Sequence, residues 1–181
     1  MWNYMPAGPF TAETYAHWVD LAAGSHDPMH FVVLVDEIPL GTLSLLRIDT
    51  ANGVAEVGWI AYSPRLQKTR AATEAVVLLA RTVFGMGYRR FEWKCDAANL
   101  PSRRAAERFG FSYEGIFRQA VVMKGRNRDT AWFAMIDAEF EMLNECWTTW
   151  LDVENFDAEG RQKAALSAST RHLLAARDPG L

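Results

Sequence analysis

The stretch Gln67-Lys-Thr-Arg-Ala-Ala72 lies between Ser63-Pro64 and the apolar run that extends to Phe84. There it opens a helix, so main-chain N–H groups with no intrahelical acceptor point outward, backed by the positive end of the helix dipole. Such a turn can hold an anion. Ala71 and Ala72 are small enough to admit a phosphate, and Lys68 and Arg70 add charge. An ordinary capped helix start accounts for the same residues. Further along, Asn99-Leu-Pro-Ser102 opens a second, shorter helix, with Asn99 as cap and Ser102 in the first turn. Cys95, just before it, is a lone thiol on a strand and reads as a pocket residue rather than a nucleophile. The histidines, His17, His26, His30 and His172, fall in polar, helical or strand-opening contexts and receive no chemistry.

Charge is unevenly distributed along the 181 residues. Arg65 to Arg128 carries 14 Lys and Arg against 5 Asp and Glu, a balance of +9, and the remainder carries 5 against 17, a balance of −12, so a formal charge of −3 conceals a basic middle. A basic middle suits a phosphorylated small molecule or a nucleic acid, and equally a solvated face with no ligand. Arg103, Arg104 and Arg108 on one short helix favour nucleic acid, but few aromatics are interleaved for base stacking, which makes it the weaker partner.

Composition bounds the rest. With 50% hydrophobic and 23% charged residues the chain is globular, and no apolar run is long enough to cross a bilayer. The N-terminus lacks the basic start and apolar stretch of a secretory signal. Two isolated cysteines, Cys95 and Cys146, make neither a disulfide scaffold nor a zinc site, so no metal and a reducing cytoplasm are expected.

The elements that must position these residues follow from periodicity. Thr11 to Ala23 reads as a capped helix, His30 to Val35 and Ile38 to Ile48 as a hairpin turning at Asp36-Glu37, and Val54 to Tyr62 as a third strand after Asn52-Gly53. Ala71 to Phe84 is a helix buried round much of its circumference. Arg90 to Cys95 is a strand, Pro101 to Phe109 a helix stopped by Gly110, and Phe111 to Gln119 and Asp129 to Ile136 are strands. Phe140, Leu143, Trp147, Trp150 and Leu151 mark an amphipathic helix whose tryptophans are core or a homodimer seam, and a polar, Ala-rich tail admits one further helix. The prediction is an α/β domain on a mixed sheet over residues 1–138, with 139–181 a helical extension packed on it.

At this point the chain resembles a known family. Glu56-Val-Gly-Trp-Ile-Ala-Tyr-Ser-Pro through Gln67-Lys-Thr-Arg-Ala-Ala-Thr-Glu-Ala is similar to the acyl-CoA signature of the GNAT N-acetyltransferases. Cys95 to Phe111, with Glu114-Gly-Ile-Phe-Arg-Gln, is similar to their RimJ/RimL-like branch, which acetylates protein N-terminal amines. Arg70 stands where the family's loop usually has its first Gly. The resemblance implies a GNAT-like, mostly antiparallel central sheet flanked by helices, and acetyl-CoA as co-substrate. It places the phosphates on Gln67, Lys68, Thr69, Arg70, Ala71 and Ala72. It further implies that Gly58 to Tyr62 splays from Arg90 to Cys95, with Gly58 at a bulge, so that pantetheine lies in the opening. Ile60 and Ala61 then face the acetyl carbonyl with main-chain N–H groups.

The same resemblance lets Asn99 meet the pantetheine amides and Ser102 protonate the departing thiolate, because Ala106 stands where many relatives carry a tyrosine acid. An α-amine titrates near ~8 and a lysine near ~10.4, so freeing the former at neutral pH needs roughly 3 kcal/mol less help. Glu56 is the candidate base, directly or through water, or else a surface carboxylate at a strand start. The acceptor is a primary amine on a small molecule or peptide, with no membrane partner. An acyl-CoA-binding sensor or subunit without turnover is the alternative. Measured against the family, the chain would begin after its usual first strand and helix, leaving the hairpin His30 to Ile48 with an unpaired edge.

Overall fold

The computed structural model describes residues 2–181. Helix α1, Ala12–Ala23, starts on a Thr11 hydroxyl that accepts from the Thr14 amide. Strands β1, Met29–Val35, and β2, Ile38–Asp49, form a hairpin whose turn residues Asp36 and Glu37 both take positive φ, 50° and 63°. This is the mirror-image turn whose twist matches that of paired strands. Strand β3, Val54–Tyr62, follows a turn in which the Asp49 carboxylate accepts from both the backbone and the side-chain amide of Asn52. Helix α2, Arg70–Gly85, then crosses over to β4, Arg90–Asp96. Helix α3, Leu100–Phe109, leads into a long hairpin of β5, Ser112–Met123, and β6, Arg126–Ile136, and α4, Asp137–Leu151, and α5, Leu166–Thr170, follow before an irregular C-terminal segment.

The six strands are ordered β1-β2-β3-β4-β6-β5, and β3 with β4 is the parallel pair in an otherwise antiparallel sheet. One face of the sheet packs against α2, α3 and α4. Val57, Phe91 and Phe133 from the strands meet Val76 and Val83 of α2 and Leu143 and Trp147 of α4, all fully buried. Alternation puts Glu56, Glu92, Lys94 and Trp132 on the opposite face.

Two boundaries differ from the sequence expectation. The last hairpin extends to Met123 and Arg126, its turn carried by Lys124 and Gly125 at positive φ, where Gln119 and Asp129 were expected as strand limits. The tail is mostly not helical, because Asn155 and Asp157 side chains bind backbone groups that a helix would need. Asn155 Oδ1 accepts from the Ala164 amide, and Asp157 Oδ1 accepts from the amides of Glu159 and Arg161.

Candidate active site

Register along the parallel pair defines the site. β3 and β4 are paired from Val54 with Arg90 to Val57 with Trp93; beyond that β3 stays with β2 alone and β4 with β6 alone. The strands part, and main-chain groups on their facing edges lose their ladder partners. A cleft of about 1600 Å³ occupies the opening and runs from α2 to the polar face of the sheet.

The bulge in β3 is real but sits one residue beyond Gly58. Trp59 and Ile60 both stand opposite Leu43, and Trp59 takes the left-handed conformation, φ 51°. Its ring packs against both Trp18 and His30, which also touch each other, and that packing holds the strained backbone. Gly58 has a different reason to be glycine, since a Cβ there would come within 2.9 Å of Leu46 Cδ2 and 3.6 Å of Glu56 Oε1.

At one end of the cleft the loop before α2 is tied down from within. Leu66 is fully buried, its amide and that of Gln67 donate to Ser63 O, and Gln67 Nε2 donates to Tyr62 O. Lys68 turns the chain with φ 62°. Thr69 is the cap, its hydroxyl accepting from the Ala72 amide while its own amide donates to Leu66 O. The resemblance placed phosphates on Gln67 to Ala72, through the main-chain amides from Lys68 onward; this is corrected in part, since the Gln67 amide is already bonded to Ser63 O. Thr69 and Ala72 are used by the turn, which leaves Lys68, Arg70 and Ala71 as the main-chain donors for an anion.

Sequence reasoning missed the wall that faces this loop. Arg108 projects from α3 into the cleft, donating to Thr73 Oγ1 at 3.1 and 3.2 Å, with its guanidinium carbon 4.8 Å from the Trp150 ring centre. Burial lowers its pKa from the ordinary arginine value, and among the described residues no carboxylate pairs with it. Phe156 lies 5.9 Å from the Arg70 guanidinium carbon, and Gln162, bonded to Trp150 Nε1, completes the wall. Arg103 instead turns away to a buried bidentate pair with Asp178, and Arg104 is exposed, so the three like charges of α3 go to three environments.

In the middle of the cleft, Asn99 Oδ1 caps α3 by accepting from the Ser102 amide, at 3.3 Å. Ser102 Oγ accepts from Trp93 Nε1 at 3.0 Å, so its own proton is available for donation. Burial pushes the neighbouring Cys95 thiol up to about 11, which keeps it protonated at neutral pH. Ala106 is fully buried and offers the cleft nothing.

Glu56 is not a surface carboxylate. It is 6% exposed, on the polar face of the sheet, with Lys94 Nζ 2.7 Å and Arg47 Nε 3.4 Å from Oε2. Lys94 also lies 2.9 Å from Glu92 Oε2, and Arg90 links Glu92 to Glu114. Burial raises the Glu56 pKa above the ordinary carboxylate value, with Lys94 opposing. A carboxylate in that state is a better proton acceptor than an exposed one.

Comparison with known proteins agrees with this geometry. A family model described as an acetyltransferase (GNAT) domain matches residues 1–112. The fold is similar to that of a GCN5-related N-acetyltransferase from Brucella melitensis, with 46% sequence identity and a TM-score of 0.91 over 93% of this chain and 78% of that one. It is also similar to a probable GNAT-family acetyltransferase from Chromobacterium violaceum, 45% identical with a TM-score of 0.72 over 77% and 76% of the two chains. An uncharacterised N-acetyltransferase of Bacillus licheniformis, p20, is 27% identical over 144 residues, 76% of this chain and 81% of that protein. The chain, with its parted parallel strands and its amide-lined turn before α2, belongs to the GNAT acetyltransferase family.

Proposed function

We propose that this protein transfers an acetyl group from acetyl-CoA directly to a primary amine, the RimJ/RimL-like pattern of Cys95 to Phe111 offering a protein N-terminal amine as one acceptor. The observation that carries the reading is the parting of β3 and β4 with three unpaired amides and Arg108 at its end. Acetyl-CoA fits these residues: a pyrophosphate meets the amides of Lys68, Arg70 and Ala71, and the cleft continues past Asn99 to Ile60 and Ala61. When bound, it supplies an acyl carbon already activated as a thioester. Glu56 takes the proton that frees the amine, main-chain N–H groups of Ile60 and Ala61 stabilise charge on the carbonyl oxygen, and Ser102 gives its proton to the leaving sulfur as the C–N bond replaces the C–S bond. Cys95, held as a thiol, takes no covalent part.

Calorimetry with acetyl-CoA tests the reading first; no binding at high micromolar concentration overturns it. Binding without acetylation of any amine supports the sensor alternative instead.

A further inference from the structure

The cations that line the cleft are almost all accounted for. Lys94 is shared by Glu56 and Glu92, Arg161 is paired with Asp157 and Glu159, and Lys68, Arg70 and Arg108 surround the phosphate turn. Arg128 is the exception. It lines the cleft beside Lys94 and Asp96, yet among the described residues no carboxylate lies within 4.0 Å of it. Its Nε is buried with no hydrogen-bond partner, and its Nη1 reaches nothing better than Met123 Sδ, at 3.7 Å. A buried, unsatisfied donor needs a partner from outside, a water or an anion, and a guanidinium with no carboxylate beside it gains most from the anion.

Position decides whose anion that is. Alternation along β6 puts Arg128 on the same face as Trp132, which pairs across to Lys94 and so shares the side of the sheet that carries Glu56. The phosphate turn and Arg108 belong to α2 and α3, which pack on the other face. The carboxylates around Glu56 are already balanced, Glu56, Glu92 and Glu114 by Arg47, Lys94 and Arg90. Asp96, the remaining carboxylate lining this end, has Oδ1 occupied by the Ala98 amide. The N-terminal segment Asn3 to Pro6 forms part of the same wall, with Lys124 Nζ holding it by donating to Trp2 O and Ala7 O.

Resting on the acetyltransferase reading above, and narrowing its acceptor from a protein N-terminal amine to a small molecule, we infer that the acceptor is a small amine that also carries an anionic group, a carboxylate or a phosphate, and that Arg128 is the residue that selects it. The guanidinium takes the oxyanion by charge-assisted hydrogen bonds and so presents the amine to Glu56. Arg128 acts on acceptor affinity and leaves acetyl-CoA binding alone.

The test is steady-state kinetics with acetyl-CoA on matched acceptors: the amino acids against their methyl esters, and aminoalkyl phosphates against the corresponding aminoalkanols. The anionic member of at least one pair is expected to exceed its neutral partner by about 100-fold in kcat/KM. Arg128→Gln is expected to abolish that difference through KM, by about 10- to 150-fold, with the Kd for acetyl-CoA unchanged by calorimetry. Arg128→Lys should recover part of the loss, which guards against a variant that merely unfolds. Whether carboxylates or phosphates prevail identifies the oxyanion. Equal use of neutral partners, turnover of no anionic member, or weakened acetyl-CoA binding in Arg128→Gln overturns the inference. Failure of acetyl-CoA to bind the wild-type protein overturns the underlying reading, whereas binding together with turnover of neutral amines alone overturns this one.

Discussion

Replacing Arg108 by Met separates binding from folding at the end of the cleft beside α2. The guanidinium is desolvated, donates to the neutral hydroxyl of Thr73 and rests on the Trp150 ring. Without ligand, the charge therefore costs desolvation and receives no ion pair in return. Methionine keeps the length of the stem and replaces a cation–π contact of about 0.5–2 kcal/mol with a sulfur–aromatic contact of about 0.3–1.5 kcal/mol. Thr73 is buried but lines the cleft, and the volume vacated by the guanidinium lets a water take over the bond to its hydroxyl. The net change in stability is expected to stay within about 1 kcal/mol, which for a chain of this length moves Tm by no more than about 4 °C. With a phosphate present, the lost charge-assisted hydrogen bonds are worth about 1.5–3 kcal/mol, or roughly 10- to 150-fold in Kd. Calorimetric titration with CoA and a thermal melt of the free protein read the two quantities independently. A Kd within twofold of wild type refutes the phosphate role, and a fall in Tm beyond 10 °C would make Arg108 a structural residue instead.

Two further substitutions probe the catalytic groups and a third the buried ion pair behind α3. Burial raises Glu56, so the base is lost as pH falls through a pKa above the usual carboxylate range; Glu56→Gln should lower kcat by about 10²- to 10⁴-fold and flatten that acid limb, and an unchanged pH profile removes Glu56 from the chemistry. Because the shift is upward, the fold favours the protonated form, so this group's contribution to stability is present at acid pH and is lost as pH rises through the folded value. Ser102→Ala should reduce kcat by about 10²-fold or more with little effect on the Kd for acetyl-CoA, and full turnover in that variant assigns the leaving-group proton to water. Asp178→Ala leaves the Arg103 guanidinium buried and unpaired, at a cost of about 3–5 kcal/mol, so Tm should fall by about 6–20 °C; the double variant Arg103→Met with Asp178→Leu should recover most of it, and a single variant that melts like wild type refutes the role given to the pair.

What could be read in the sequence divides along a physical line. Local chemistry was legible: Asp36-Glu37 fits a two-residue turn whatever lies around it, and Thr11 and Asn99 cap the helices they precede because a side-chain oxygen needs only the next turn's amides. Features set by a distant partner were not. The bulge belongs at Trp59 rather than Gly58 because Leu43, on another strand, fixes the register and Trp18 and His30 hold the ring. Arg103, Arg104 and Arg108 are alike in sequence, but only the fold shows that the first faces Asp178, 75 residues away, and the last faces the cleft. The wall at Phe156 and Gln162 was hidden because a polar tail gives no period, its backbone being organised by Asn155 and Asp157 instead.

The same line explains why acceptor choice was out of reach. A motif shows which charges are present, whereas the selectivity proposed for Arg128 depends on which charge is left unneutralised once the others have paired. That remainder exists only after β3, β4 and β6 have brought Glu56, Lys94 and Arg128 around one opening. On that proposal, a single carboxylate placed within reach of Arg128 changes the acceptor without touching any cofactor-binding residue. Placing one there in this chain should move its preference from anionic towards neutral amines.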